Sequence, residues 1–294
     1  MADGGVRDPA RRHHPLLVVA LLGLAGLVAL ILAVLAPSAR SFRSGPPGPS
    51  ADASTRTLGG SRALVALGDS VPSADTCGCT GYVEQVGGRL QVLTHHNWVV
   101  HNDATGGWTT ADVERDLSTA ATHADLVEAD LVLIEAGAND FDLSLVDDPD
   151  CVPAASSGCW SSTLEGVRAG LTQIIDGIHR INVRPDLRIV LIGYWNVTVD
   201  GAVGRALGPG FVLGSDGLTR VVNTTVEQVA TRTGTDYVDA YTPLKGDVGS
   251  RDPTSDLLQD GDHLNASGHA LLANAVIDEL KSVGVLAGWT EGKG

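Results

Sequence analysis

Basic residues are scarce in this 294-residue chain, which holds 20 lysine and arginine residues against 35 aspartate and glutamate residues. The formal net charge is −15, and residues 61–294 alone carry −18 because the short segment before them is basic. A region this acidic is a poor electrostatic partner for nucleic acid or for an anionic membrane surface. The sequence therefore predicts no nucleic-acid partner.

Cysteine is also scarce, with only Cys77, Cys79, Cys151 and Cys159. None of them follows the spacing of a zinc site, in which Cys-x-x-Cys pairs are combined with histidine partners. Cysteines in an exported domain favour disulfides, and four cysteines allow three pairings. We expect Cys151 to pair with Cys159 across a short loop and Cys77 to pair with Cys79 in a tight ring. The crossed pairings stay open at this point.

Charge is absent altogether from residues 16–36, an apolar stretch of 21 residues. As a helix it would be about 32 Å long, which is enough to cross a bilayer core of roughly 30 Å. A cleavable signal peptide has a shorter apolar region of about 7–15 residues, and here proline follows the small residue Ala36. We therefore expect residues 1–15 to be a cytoplasmic tail and residues 16–36 to be an uncleaved single-pass anchor. Secretion after cleavage is the alternative.

Beyond this stretch, short apolar runs alternate with helix-like patterns. Residues 37–60 are rich in proline, serine and glycine and are predicted to be a linker, which leaves residues 61–288 as the folded domain. Five runs are typical of strands: 63–67, 98–101, 131–135, 188–193 and 237–239. Four stretches have helical spacing: 109–123, 161–182, 215–233 and 266–283. This alternation predicts an α/β fold with a parallel sheet covered by helices on both faces. Ligand sites in such folds lie at the carboxyl ends of the strands.

A Gly68-Asp69-Ser70-Val71 motif directly follows the first predicted strand. Glycine permits a tight backbone turn at this point, and such a turn can expose the serine hydroxyl. We interpret Ser70 as the candidate nucleophile. The ordinary interpretation of so short a motif is a loop or a helix cap, so its meaning depends on the partners that follow.

An Asp260-Gly261-Asp262-His263 motif comes just before the last predicted helix. Its spacing lets the Asp260 carboxylate fold back onto one imidazole nitrogen of His263, which leaves the other nitrogen free to take a proton from serine. Asp262 is a rival partner with poorer reach, because it is adjacent to the histidine. A metal site here would need a second cluster of histidine or carboxylate ligands, which is missing. We expect Asp260 and His263 to work as an acid–base pair without a metal ion.

Three groups are candidate donors to an oxyanion, the charge that develops when a nucleophile attacks an ester carbonyl. Ser70 supplies its own backbone N–H, and Gly107 supplies a backbone N–H with no side chain in the way. Asn139, in a Gly137-Ala138-Asn139-Asp140 motif that follows another predicted strand, supplies a side-chain amide. Loss of one such donor typically costs on the order of 100- to 1,000-fold in rate.

Together these motifs resemble the blocks of the SGNH (GDSL-type) hydrolase superfamily. In chain order the matching segments are Gly68-Asp69-Ser70, Asn102 to Gly107, Gly137-Ala138-Asn139-Asp140, and Asp260 to His263 with Asn265 to His269 behind it. The likeness extends over about residues 62–283. Two departures are Leu264, where proline is frequent, and the pair Gly106 and Gly107 in the second block.

The resemblance implies a three-layer α/β/α sandwich around a five-stranded parallel sheet, with flavodoxin-like topology. It also implies ester hydrolysis through an acyl-enzyme on Ser70, without a cofactor. With the predicted anchor, the chain is expected to be a membrane-bound esterase or lipase outside the cytoplasm that acts on lipid, glycan or other small acyl esters. We expect short or medium acyl chains, because no large apolar lid segment is evident near the motifs. An acyltransferase on the same site and a binding protein on the same fold are the alternatives.

Overall fold

The computed structural model describes residues 59–151 and 158–290. Within these ranges the chain forms five strands: β1 (Gly59–Gly68), β2 (His96–Asn102), β3 (Leu131–Glu135), β4 (Arg188–Ile192) and β5 (Asp236–Val238). The same ranges contain ten α-helices: α1 (Ser70–Ser73), α2 (Tyr82–Thr94), α3 (Thr110–Asp116), α4 (Ala120–Glu128), α5 (Ser161–Ile181), α6 (Gly201–Ala206), α7 (Pro209–Thr233), α8 (Tyr241–Lys245), α9 (Ala266–Ser282) and α10 (Val285–Thr290).

Several expectations from the sequence concern residues that lie outside these ranges. They are the tail at residues 1–15, the membrane span at residues 16–36 and the linker as far as residue 58. Gly59 and Gly60, predicted to end the linker, belong to β1 instead. No helix within the described ranges is long and apolar enough to cross a membrane.

The sheet is parallel throughout, with the strand order β2-β1-β3-β4-β5. This is the flavodoxin-like order of a doubly wound sheet. Each of the five predicted strand runs lies within or overlaps an observed strand. The predicted α/β fold with a five-stranded parallel sheet is therefore confirmed.

Two apolar cores lie on opposite faces of the sheet. In β1, Leu64 and Ala66 belong to one core while Val65 and Leu67 belong to the other, because successive side chains of a strand point to opposite faces. Buried side chains of α5 and α7 complete one core, and those of α2 and α9 complete the other. Helices therefore cover both faces, which explains why the strands are apolar on both sides.

Two predicted helices differ from those observed. The stretch 109–123 contains two helices, because the chain leaves α3 at Leu117 and starts again behind Thr119, whose side chain caps α4. The helix predicted at 215–233 begins six residues earlier, with Pro209 in its first turn. Proline is tolerated there because the N–H that it lacks would have no partner within the helix.

Helix α2 was not predicted, because Gly87 and Gly88 in its middle disfavour a helix. Tertiary packing overrides that preference, since one face of α2 is fully buried through Val83, Val86 and Leu90. Gly87 has a packing reason as well. A side-chain carbon at Gly87 would lie 2.4 Å from Cγ2 of Val100 on β2, so only glycine lets the helix approach the sheet this closely.

Both expected disulfides are present, and the crossed pairings are not formed. Cys77 is bonded to Cys79, and Cys151 is bonded to Cys159. The described part of the chain contains no free cysteine. The first disulfide lies in the loop between α1 and α2, directly after the turn that carries Ser70.

Candidate active site

A largely polar cavity of about 150 Å³ opens at the carboxyl edge of the sheet. Ser70 and Asn139 line it, and so does Asp262, the neighbour of His263 in the chain. These residues come from three distant segments, which meet because the carboxyl ends of parallel strands share one edge of the sheet. The cavity therefore brings together residues of three of the sequence motifs, whereas Gly107 and His263 do not themselves line it.

Ser70 is half-buried and begins α1, a single helical turn that follows β1 directly. Asp69 caps this turn, because its Oδ1 accepts the N–H of Val71 at 3.1 Å. Gly68 has a φ of 147°, and a side-chain carbon there would lie 2.0 Å from the Glu135 carbonyl oxygen. Only glycine fits this close approach, so the motif's glycine is needed to aim the serine into the cavity.

The second glycine block forms a tight turn, closed by a hydrogen bond of 3.2 Å from the Trp108 N–H to the Thr105 carbonyl. Gly107 is the third residue of the turn and has a φ of 83°, a conformation that favours glycine. Its N–H makes no hydrogen bond to any described residue. A carbon on Gly106 would lie 3.7 Å from Ser70 Cβ, so the turn packs directly against the candidate nucleophile.

Asn139 lies exposed at the cavity rim, in a short 3₁₀ turn over Ala138–Asp140. Its Nδ2 donates to the Trp108 carbonyl at 3.0 Å, which fixes the amide against the glycine turn. An amide carries two N–H groups, so the second remains available to a ligand. Asp140 adds a second link between this turn and the segment after the glycine turn, because its carboxylate accepts the Thr110 N–H at 2.9 Å and the Thr110 hydroxyl at 2.7 Å.

His263 is paired with Asp260, as predicted. Nδ1 of the imidazole lies 2.8 Å from Asp260 Oδ2, whereas Nε2 lies 4.0 Å from Asp262 Oδ2. The other Asp260 oxygen accepts the backbone N–H groups of Asp262 and His263 at 2.9 and 3.1 Å. Burial acts to raise the pKa of Asp260, but these hydrogen bonds hold it below its ordinary value. An ionised Asp260 fixes the Nδ1–H tautomer and leaves Nε2 able to accept a proton.

A buried ion pair supports the loop that carries this histidine. Gly261 has a φ of 72°, and a side-chain carbon there would lie 2.6 Å from Val203 Cβ. The Gly261 carbonyl accepts the Asp200 N–H at 2.7 Å, and the Asp200 carboxylate is bonded to Lys245 Nζ and to the Asn196 amide. Because Asn196 also lines the cavity, this network connects the cavity wall to the histidine loop.

Two carboxyl groups are buried beside the serine turn. The Tyr194 hydroxyl donates to Asp69 Oδ2 at 2.6 Å and accepts the Ala138 N–H at 3.3 Å. Burial raises the pKa of Asp69 to about 6, although the bonds from Tyr194 and a backbone N–H act to lower it. Glu135 is fully buried, and neither its oxygens nor the nearby Tyr82 hydroxyl makes a well-formed hydrogen bond to a described residue. Burial and the Asp69 charge raise the pKa of Glu135 well above its usual range.

Sequence reasoning missed this buried group and the Asp200–Lys245 pair. Glu135 gives a signal in hindsight, since it is the one charged residue in the fully buried strand β3. Tyr194 gives no comparable signal, because tyrosine after an apolar strand is an ordinary core residue.

Three residues with metal-ligand chemistry gather behind the serine turn, where the ligand atoms of Cys77, Cys79 and His269 lie within 4.8 Å of one another. The two cysteines form a disulfide and so present no thiolates. Nδ1 of His269 accepts the Tyr82 N–H at 3.3 Å. The cluster is therefore a structural contact between the loop, α2 and α9.

Comparisons with known proteins show the family and the fold of this chain. The sequence profile of the GDSL-like Lipase/Acylhydrolase family matches residues 66–271, which is more than half of the chain. The search of curated proteins found no match. The lipase Lip_vut3 from a goat rumen metagenome has a similar structure, with a TM-score of 0.60 at 16% identity over 76% of this chain and 98% of that one.

Two further solved structures share the fold. Axe2, an acetylxylan esterase from Geobacillus stearothermophilus, gives a TM-score of 0.53 at 22% identity and covers 76% of this chain and 96% of its own. TesA gives a TM-score of 0.50 at 19% identity over 76% of this chain and 99% of its own.

Proposed function

The chain belongs to the GDSL-like lipase/acylhydrolase family, and on that premise we propose that it is a serine esterase that hydrolyses short-chain acyl esters through an acyl-enzyme. The observation that carries the proposal is the cavity shared by Ser70, Asn139 and the neighbour of His263. Such an arrangement serves acyl transfer, because Ser70 offers a nucleophile, Asn139 offers an oxyanion donor, and His263, next to Asp262 in the chain, offers a base.

In the proposed mechanism, Ser70 Oγ attacks the ester carbonyl carbon while His263 Nε2 takes the hydroxyl proton. Asp260 stabilises the imidazolium that forms, since its carboxylate already holds Nδ1 at 2.8 Å. The imidazolium then donates its proton to the leaving alkoxide, which departs as the alcohol and leaves Ser70 acylated. Water then attacks the acyl carbonyl while the same imidazole takes one of its protons. The imidazolium returns that proton to Ser70 Oγ as the bond between the serine oxygen and the acyl carbon breaks, which releases the carboxylic acid and restores the serine hydroxyl.

The negative charge of each tetrahedral intermediate develops on the former carbonyl oxygen. We assign its stabilisation to the N–H groups of Ser70 and Gly107 and to the second amide N–H of Asn139. The support is that the Gly107 N–H is uncommitted among the described residues and that the Asn139 amide is already fixed by the Trp108 carbonyl. Donors held in place before reaction need no reorganisation when the charge appears.

The size of the cavity favours small acyl groups. A cavity of about 150 Å³ accepts a ligand the size of benzene, which corresponds to an acyl chain of a few carbons. Tyr194 and Trp195, two of its lining side chains, are each 1% exposed. The Asn223 side chain holds the backbone of Tyr194 in place, because it accepts the Tyr194 N–H at 2.8 Å and donates to the Tyr194 carbonyl at 2.7 Å. One structural neighbour, Axe2, is described as an acetylxylan esterase, which agrees with an acetyl-sized site.

We place this activity outside the cytoplasm, either tethered by residues 16–36 or released after their removal. Two observations support this location. The apolar stretch is long enough to span a bilayer, and both pairs of cysteines are oxidised, which is typical of exported domains. Protease accessibility of the domain on intact cells tests the location directly.

The proposed activity is tested with p-nitrophenyl acetate, butyrate and palmitate and the full chain in mild detergent. Ser70→Ala should abolish hydrolysis, because it removes the nucleophile, while Ser73→Ala, on the same short helix, should stay within about tenfold of the wild type. The acetate or butyrate ester should be turned over faster than the palmitate ester. Full activity of Ser70→Ala would refute the mechanism, and a preference for palmitate would refute the acyl-size assignment.

A further inference from the structure

Tyr194 lies two residues after the end of β4 and is almost completely buried. It belongs to the core on the α5 and α7 side of the sheet, and it also lines the Ser70 cavity. The mechanism above does not use this hydroxyl. Burial and the nearby Asp69 charge raise the pKa of Tyr194 well above its ordinary value, so the phenol is neutral and donates its proton to a hydrogen bond.

The hydroxyl connects two turns that catalysis must hold at a fixed separation. It donates to Asp69, the residue before Ser70, at 2.6 Å, and it accepts the N–H of Ala138, the residue before Asn139, at 3.3 Å. One turn carries the proposed nucleophile and the other carries an oxyanion donor. The rigid phenol of Tyr194 lies between the two turns and so fixes the distance between them.

The Asp69 carboxylate also contacts the helix that carries Ser70. Its second oxygen accepts the Val71 N–H at 3.1 Å, so the same carboxylate is bonded both to the Tyr194 hydroxyl and to the first turn of α1. Two hydrogen bonds with Asn223 on α7 hold the backbone of Tyr194, because Asn223 Oδ1 accepts the Tyr194 N–H and Asn223 Nδ2 donates to the Tyr194 carbonyl. The chain of contacts therefore runs from α7 through Tyr194 and Asp69 to the nucleophile.

From these contacts we propose that Tyr194 is a positioning residue that aligns Ser70 with the Asn139 oxyanion donor by bridging Asp69 and Ala138. The proposal rests on the proposed esterase function. It assigns Tyr194 no contact with the reacting atoms, and it requires Asp69 to be ionised, since a carboxylate accepts from both the phenol and the Val71 N–H. Misplacement of a reacting group by about 1 Å can cost on the order of 100-fold in rate, which is the kind of loss that removal of the bridge should produce.

The ionisation of Asp69 gives the proposal a second readout. The titratable groups that face Asp69 are Glu135 at the end of β3, Tyr82 on α2, Tyr194 behind β4, and Asp262 and His263 before α9. Burial raises the pKa of Asp69 to about 6, and the bond from Tyr194 opposes that rise. Removal of the phenol hydroxyl therefore raises the pKa further, and the ionised form is then lost at a higher pH than in the wild type.

The test compares Tyr194→Phe with Tyr241→Phe in the full chain. Both variants keep the ring and remove a hydroxyl that donates to an aspartate, but the Tyr241 hydroxyl is bonded to Asp216 and Arg220, outside the Ser70 cavity. With p-nitrophenyl acetate, Tyr194→Phe should lower kcat by tenfold or more and leave KM within twofold. The acid limb of its kcat/KM profile should move to higher pH. Tyr241→Phe should match the wild type in kcat, in KM and in the acid limb of the kcat/KM profile.

A wild-type kcat and acid limb in Tyr194→Phe would overturn the proposal, as would a loss confined to KM, which would make Tyr194 a substrate-binding residue. If circular dichroism shows that Tyr194→Phe does not fold, Asp69→Asn tests the same bridge from its other end. It should lower kcat at least tenfold with KM intact, and a wild-type kcat there would equally overturn the proposal. Failure of the esterase assignment is distinguishable, because the wild type itself would then show no hydrolysis that depends on Ser70.

Discussion

Two aspartates flank His263, and they offer the sharpest comparison at the scale of single residues. Asp260 contacts Nδ1 at 2.8 Å, while Asp262 stays 4.0 Å from Nε2. The sequence was sufficient to choose Asp260, because a three-residue separation lets the carboxylate fold back onto the ring and adjacency does not. The partner of His263 could therefore be predicted from the spacing of residues within the motif.

Replacement of these aspartates should separate their roles. Asp260→Ala removes the group that orients the imidazole and stabilises its cation, so kcat for p-nitrophenyl acetate should fall at least about 100-fold, toward the roughly 10⁴-fold loss seen when such an aspartate is neutralised. Asp262→Ala should cost less than about tenfold. Equal losses in the two variants would contradict the assignment.

Glu135 is a second residue-scale case, and here the effect is on stability. Its pKa is raised in the folded protein by burial and by the Asp69 charge, above the ordinary value of 4.5. Below that ordinary value the carboxyl is neutral in both states and has no effect. As the pH rises above it, the unfolded chain releases the proton more readily than the folded chain, so the free energy of unfolding falls.

Glu135→Gln should remove this pH-dependent penalty. The variant should therefore be more stable than the wild type at pH 7 and nearly equal to it at pH 4. Urea unfolding at both pH values measures the difference. The matched exposed replacement Glu128→Gln should change stability by less than about 0.5 kcal/mol at either pH. A pH-independent effect of Glu135→Gln would contradict the account.

At the scale of elements, glycine misled the secondary-structure prediction in α2 but correctly indicated the turn after β1. Gly87 and Gly88 hid α2 from a reading based on helix propensity, because the burial of Val83, Val86 and Leu90 that overrides propensity depends on contacts distant in sequence. The need for glycine at position 68 was predicted correctly, because a tight turn directly after a strand is a local requirement. The strand and helix pattern was therefore predictable, while packing that overrides local preference was not.

Two glycine replacements test this distinction. Gly68→Ala places a side-chain carbon 2.0 Å from the Glu135 carbonyl at a φ of 147°, so it should destabilise the fold by about 3 kcal/mol or more and abolish hydrolysis. Gly88→Ala lies on the exposed side of α2 with nothing within 4 Å, and it should stabilise the protein by up to about 1 kcal/mol. Urea unfolding curves would contradict the account if both variants behaved alike.

For the molecule as a whole, alternation of strands and helices predicted the sheet, and the motifs predicted where the candidate site lies on it. The internal supports of that site were not predictable. The hydrogen bonds of Tyr194 with Asp69 and Ala138 join two motifs through a tyrosine that belongs to neither of them. Asp200 and Lys245 likewise stand outside the motifs in sequence, although Asp200 is bonded to Gly261. The candidate functional residues lie in sequence motifs that can be recognised, whereas the residues that position them are set by tertiary packing and form no such motif.

The central claim is that Ser70, Gly107, Asn139 and the Asp260–His263 pair act on one reacting carbonyl. A crystal structure of the full chain after reaction with a small alkyl fluorophosphonate tests it most directly, because the phosphonyl oxygen mimics the oxyanion. The account predicts a covalent bond from Ser70 Oγ to phosphorus, the phosphonyl oxygen about 2.7–3.1 Å from the three donors, and His263 Nε2 facing the adduct. An unlabelled Ser70, or an adduct whose oxygen points away from Gly107 and Asn139, would contradict it.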